Sequence, residues 1–280
     1  MKFAINENTI FQCGLFDFIQ ACAGSGCKAV ELSYGKVMEA LKFVPAGEIR
    51  AMIEASGLRV LSLNAFEDAL LYPHENLAIL RTEAELIAKV AESVACPAIV
   101  IPSSRWNPSL GSLPPRGRIT EQYQECLSLI AEVFGEYSVE PLFEPIAYDK
   151  FIVGTPDWTN EILADPRLTT MRIVPDVHNL HVNGAGPGQL GNFKNAIGII
   201  HIDDTQDPKQ FSSHVAKTRA FPGEGIASAT SWVEEAGKIG YDGYYSLELF
   251  SDSIYALNCE EAAKLCMNKL LAFERLIVSN

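Results

Sequence analysis

The chain has 280 residues, 48% of them hydrophobic, which is enough to bury a full core in one large domain or two small ones. Its 35 acidic residues against 22 Lys and Arg leave a formal charge of -13, which repels nucleic-acid phosphates and anionic lipid headgroups. These bounds argue against a nucleic acid or a membrane as partner and favour a small neutral or metal-held substrate.

The opening "MKFAINENTI" lacks the apolar stretch and small-residue cleavage site of a signal peptide, and no window approaches the roughly 18 apolar residues of a membrane span. Seven cysteines (Cys13, Cys22, Cys27, Cys96, Cys126, Cys259 and Cys266) are odd in number, include no C-x-x-C pair and fall mostly in predicted helices. They signal no disulfide framework or thiolate zinc site, and read as small buried hydrophobes in a reducing cytosol, so a cytoplasmic protein is expected.

In chain order, short apolar runs alternate with segments of helical periodicity. "KFAI" precedes the helical "LFDFIQACAGSG", "KAVELS" precedes "AGEIRAMIEASG", and "RVLSLNA" precedes "ENLAILRTEAELIAKVAESV". Next come "PAIVIPS" with "ITEQYQECLSLIAEVFGEY", "EPLFEP" with "PDWTNEILADP", then "RIVPD", "IGIIHID" with "ASATSWVEEAGKIG", and finally "YYSLELF". Several helical segments end in a glycine able to take the left-handed conformation past the last turn.

Eight strand-then-helix units with wholly apolar strands are what a closed parallel (β/α)8 TIM barrel requires, because its strands are covered inside and out. An open doubly wound sheet is the alternative, but "AINENTIFQCG" carries no G-x-G-x-x-G phosphate turn after the first strand. With no low-complexity linker, residues 1–280 read as a single barrel domain. Two long loops, "SSRWNPSLGSLPPRGR" and "DDTQDPKQFSSHVAKTRAFPGEG", follow strand C-termini and are expected on the active face.

The residues that close the later runs then point into one mouth. They are Glu144 in "PLFEP", Asp176 in "RIVPD", His201 in "GIIHIDD" and Glu248 in "YYSLELF". Three carboxylates converging at low dielectric repel one another unless a cation neutralises them, and three oxygens with one nitrogen suit one divalent metal ion: Mn2+, Mg2+, Co2+ or Zn2+. The alternative is that each acid caps the helix that follows it.

"INENT", "LSLNA", "FEP", "PDVHNLH", "HIDDTQD", "TRAFPGEG" and "SLELFSD", in this order, resemble the xylose isomerase-like TIM-barrel superfamily over essentially the whole chain. Within it the similarity is to the sugar phosphate isomerase/epimerase branch that includes the inosose isomerases. The resemblance implies that Glu144, Asp176, His201 and Glu248 hold one divalent metal and that Arg219, upstream of "PGEG", contacts substrate oxygens. It further implies a polyol or sugar substrate and, since such barrels often associate, a homo-oligomer.

That site supports proton transfer on a keto-polyol, keto-sugar or inosose through an enediolate held at the metal, with Glu144 and Glu248 as the transfer pair. Isomerase, epimerase and dehydratase outcomes share this first step, so a dehydratase on an inosose or dehydroshikimate-like acid is the second reading. A DNA repair endonuclease of the superfamily would need a histidine-rich multi-zinc cluster and a basic face, against five histidines and a charge of -13 here. A sugar-binding protein without chemistry is the remaining alternative.

Further substrate contacts are expected from Glu31, Asn64 and Trp106, the last as an apolar lid, with Glu67 and Lys150 in the mouth loops. Asp203 or Asp204 is expected to fix the His201 ring or meet Arg219. The family pattern D-x-x-H places a histidine where this chain has Asn179, which can hydrogen-bond but not exchange a proton near neutral pH. His181 is the candidate to compensate, while His214 reads as a solvated loop histidine.

Overall fold

The computed structural model describes residues 1–146, 150–206 and 215–278. Its barrel strands are β1 (Lys2–Asn6), β2 (Ala29–Ser33), β3 (Arg59–Asn64), β4 (Ala98–Pro102), β5 (Glu140–Glu144), β6 (Arg172–Ile173), β7 (Ile199–His201) and β10 (Tyr244–Leu247). They form one parallel sheet in the order β6-β5-β4-β3-β2-β1-β10-β7. The remaining gap between β6 and β7 is bridged by the parallel pairs Ile173–Ile197 and Asp176–His201, which close the ring into the expected TIM barrel.

Outside the strands lie α1 (Leu15–Gly24), α2 (Tyr34–Leu41), α3 (Ala46–Ser56), α4 (Leu77–Ser93), α5 (Arg116–Glu136), α6 (Pro156–Leu163), α7 (Val177–Val182), α8 (Ala229–Lys238), α9 (Asp252–Tyr255) and α10 (Cys259–Val278). Local chemistry sets their ends. Thr155 caps α6 through the Trp158 N–H with Pro156 at the first helical position, and Gly57, at φ 69°, ends α3 in the left-handed conformation. A short antiparallel ribbon, β8 (Asp204–Thr205) with β9 (Arg219–Ala220), stands above β7.

Two apolar layers hold the barrel. The larger lies between strands and helices, and the smaller fills the interior with Ala4, Ala29, Leu61, Ala98, Val100, Leu142, Val174 and Ile199. Because strand side chains alternate, the residues two positions further on also face inward. That step leads from Ala4 to Asn6, Ala29 to Glu31, Leu142 to Glu144, Val174 to Asp176 and Ile199 to His201, so a buried polar layer sits directly on the apolar plug.

The cysteine reading needs one correction. Cys13 and Cys259 form a disulfide joining the turn after β1 to the start of α10 across 246 residues, a pairing that odd number and spacing do not reveal. The other five are buried thiols, as expected. Among the described residues no helix is long and apolar enough to cross a membrane.

Candidate metal and substrate site

Glu144, Asp176, His201 and Glu248 converge at the C-terminal mouth, each offering one ligand atom within 4.8 Å of the others, and all four are buried. His201 Nδ1 lies 3.3 Å from Glu248 Oε2, 3.4 Å from Glu144 Oε1 and 3.8 Å from Asp176 Oδ2. Yet that nitrogen has no hydrogen-bond partner among the described residues. A bare nitrogen facing three carboxylate oxygens is a donor set of the type that fits Zn2+, Mn2+ or Co2+.

Asp176 also does what the helix-cap alternative required. Its Oδ1 accepts the Asn179 N–H at 2.7 Å at the start of α7, while Oδ2 turns to the cluster and to Arg219 Nη1 at 2.6 Å. Capping and clustering are therefore compatible in one side chain.

The two glutamates differ in their surroundings. Glu248 Oε1 accepts Nδ2 bonds from Asn6 and Asn8, both at 3.2 Å, and Arg219 Nη2 lies 3.6 Å from Oε2. Burial works to raise its pKa, but the charges of His201 and Arg219 and the Asn8 bond outweigh it and hold Glu248 down to about 2. Among the described residues Glu144 accepts only a 3.4 Å bond from Asn179 Nδ2 beside its His201 contact, and burial, aided by the nearby Glu248 and Asp176 charges, pushes it up to about 7. On His201, burial opposes protonation, but the carboxylates of Glu31, Glu248 and Glu144 raise its pKa well above the usual imidazole value.

Arg219, expected to meet substrate oxygens, is a buried anchor rather than an exposed loop arginine. Its guanidinium bonds Asp176, Asp203 and the Asn179 Oδ1, the last at 3.2 Å, and stacks over the Phe250 ring at 5.2 Å. Glu224, in the same loop, pairs with Lys269. Asp204 organises the "FPGEG" loop by accepting the N–H groups of Gly223, Ala227 and Ala229.

Beside the cluster lies a cavity of about 190 Å3, into which Asn8, Asn64, Glu144, Arg219 and Glu248 project, with Phe151 and Phe250 among its apolar walls. Asn64, at the end of β3, is buried, and its Nδ2 has no hydrogen-bond partner among the described residues. Trp106 is placed differently from the expected lid. It is half-buried, its indole N–H bonds the Gly111 carbonyl at 3.2 Å, and the aromatic walls are the two phenylalanines.

Glu31 departs furthest from its expected place. It is fully buried beneath the mouth, 3.1 Å from His201 Nε2, while Asp203, expected at the ring or at Arg219, meets Arg219. His181 is half-buried on the last turn of α7, and none of the cluster contacts among the described residues involves it. His178 is buried with Nδ1 3.0 Å from Thr205 Oγ1, Glu67 pairs with Arg105, and the Lys150 carbonyl accepts the Trp106 N–H. His214 lies outside the described residues.

Residues 19–270 match the family described as xylose isomerase-like TIM barrel. Over 269 residues the chain is 25% identical to an inosose isomerase of Halalkalibacterium halodurans, an alignment covering 94% of this chain and 93% of that one. Among solved structures it is similar to the IolI protein crystallised with a zinc atom, at a TM-score of 0.86 and 21% identity over 98% of each chain. The D-psicose 3-epimerase of Clostridium cellulolyticum H10, solved with D-tagatose, is similar at a TM-score of 0.74 and 13% identity over 99% of each chain. With strand order, mouth geometry and a match spanning all but its two ends, the chain belongs to the xylose isomerase-like TIM-barrel family.

Proposed function

We propose that this protein is a divalent-metal-dependent isomerase or epimerase of a keto-polyol, keto-sugar or inosose. The reading is carried by one observation: three buried carboxylates converge on a bare imidazole nitrogen, and two of the three, Glu144 and Glu248, also line the adjoining cavity. The inosose isomerase and D-psicose 3-epimerase relatives support the substrate class. At about 190 Å3 the cavity is smaller than the roughly 300–1,000 Å3 of drug-sized sites, which suits a ligand the size of a single sugar.

A divalent ion held by Glu144, Asp176, His201 and Glu248 would supply Lewis acidity toward adjacent carbonyl and hydroxyl oxygens, making the C–H between them more acidic. The chain's own groups then divide the remaining work. Glu248 Oε1 is engaged by the Asn6 and Asn8 amides, whereas Glu144 meets the Asn179 amide at 3.4 Å, and two unequally held carboxylates suit a pair that takes a proton at one carbon and returns it at another. Asn64 Nδ2 offers a hydrogen bond to a substrate oxygen, and Phe151 and Phe250 cover the C–H faces of a sugar and exclude water. Arg219, fixed by two aspartates, holds positive charge at the cavity edge where an oxyanion develops.

The test is incubation of the purified protein with keto-sugars and inososes in D2O. Solvent deuterium should enter the product carbon, and Glu144→Gln or Glu248→Gln should each lower turnover by at least about 100-fold with unchanged circular dichroism. Near-native turnover in Glu248→Gln would remove it from the proton-transfer pair. Loss of water from the substrate would assign a dehydratase, and metal analysis finding no stoichiometric divalent ion would point to sugar binding without chemistry.

A further inference from the structure

Three of the four barrel strands that supply none of the proposed ligands, β1, β2 and β3, nonetheless build a buried polar cradle under the site. Glu31 of β2 is its centre. Oε1 lies 3.1 Å and Oε2 3.4 Å from His201 Nε2, Ser62 Oγ of β3 donates to Oε2 at 2.6 Å, and Asn6 Nδ2 of β1 lies 3.4 Å from Oε1. The same Asn6 amide reaches Glu248 Oε1 at 3.2 Å, so the cradle also touches a proposed ligand. All of these groups are buried, which makes each bond costly to leave unmade.

We propose that Glu31 is the positioning residue of the site: its carboxylate takes the Nε2–H of His201 and thereby fixes the ring so that Nδ1 faces Glu144, Asp176 and Glu248. The two ring nitrogens are distinct, and the one holding the proton is set by the acceptor it meets. Neighbouring acids are committed elsewhere. Asp203 meets Arg219 and the His178 N–H, and Asp204 holds the Gly223–Ala229 loop. Ser62 in turn keeps the Glu31 carboxylate from rotating away.

The proposal rests on reading the four mouth residues as a metal site, and the experiment separates the two ideas. Zn2+ affinity is measured by chelator competition for the full chain and for Glu31→Gln, which keeps the shape but weakens the acceptor. The variant should bind Zn2+ at least about tenfold more weakly, with metal-free thermal stability as the control for folding. In parallel, long-range 1H–15N correlation on the Zn2+-loaded wild-type protein, labelled at histidine, should place the His201 ring proton on Nε2, far downfield and slow to exchange.

If the wild type binds zinc and Glu31→Gln binds it equally well, Glu31 is only a buried structural acid and the proposal falls. A His201 proton found on Nδ1 overturns it as well, even if the variant does not fold. A wild type that takes up no divalent ion overturns the metal reading itself.

Discussion

Glu7 stands one residue beyond β1, fully buried, accepting the Ser33 N–H at 2.7 Å and lying 3.6 Å from Lys36 Nζ. Burial pushes its pKa up to about 7, against the pull of Lys36 and the Ser33 bond. Below pH 4.5 the carboxyl is protonated in both folded and unfolded chains and costs nothing. As pH rises toward 7 the unfolded chain ionises first, folding must take up a proton, and stability falls, the reverse of a salt-bridged acid. Glu7→Gln should therefore gain on wild type, by on the order of 3 kcal/mol between pH 4.5 and pH 8, in parallel denaturant titrations. A stability difference that stays flat with pH would refute this.

At the same scale, Glu144, Asp176, His201 and Glu248 were legible because each is the polar residue closing an apolar run. Asn6, Asn8, Glu31 and Ser62 were not read as one network with His201, because their connection runs between strands rather than along one. A signal was nonetheless present. Two positions beyond each interior alanine of β1 and β2 stands a polar residue, the same step that leads from Leu142 to Glu144. Arg219 was found, but its burial was not, since its partner Asp203 lies 16 residues away on the far side of the β8–β9 ribbon.

Among elements, that ribbon positions the most. It pairs Thr205 with Arg219 and so brings the arginine back over β7, while Gly225 packs onto the β8 backbone. A Cβ there would lie 2.4 Å from the Thr205 carbonyl oxygen and 2.6 Å from Asp204 Oδ1. Gly225→Ala should thus cost roughly 1–3 kcal/mol through displaced backbone, and should lower turnover with it as Arg219 shifts. Unchanged thermal stability and kinetics would show that the loop yields freely. The barrel strands were readable from apolar runs, whereas α2 and the ribbon were not, because α2 begins directly after β2 and the ribbon strands, Asp204–Thr205 and Arg219–Ala220, lie in no apolar run.

For the whole molecule, an interior plug, a helix layer and the Cys13–Cys259 bond hold a ring whose weakest join is plain. Seven of the eight junctions are ladders between named strands; the eighth, between β6 and β7, rests on isolated bridges, one of them Asp176 with His201. Two of the proposed ligands therefore stand on opposite lips of the barrel's seam. An ion gripping both would act as a rivet, and its binding free energy would appear as resistance to opening. Zn2+ at 100 times its Kd should add about 2.7 kcal/mol to stability, and chelation should remove it. The gain should concentrate in slower amide exchange at Ile173 and His201, whose N–H groups bond the Ala196 and Pro175 carbonyls across the seam. In this protein the act of loading the site and the act of sealing the barrel would be one event.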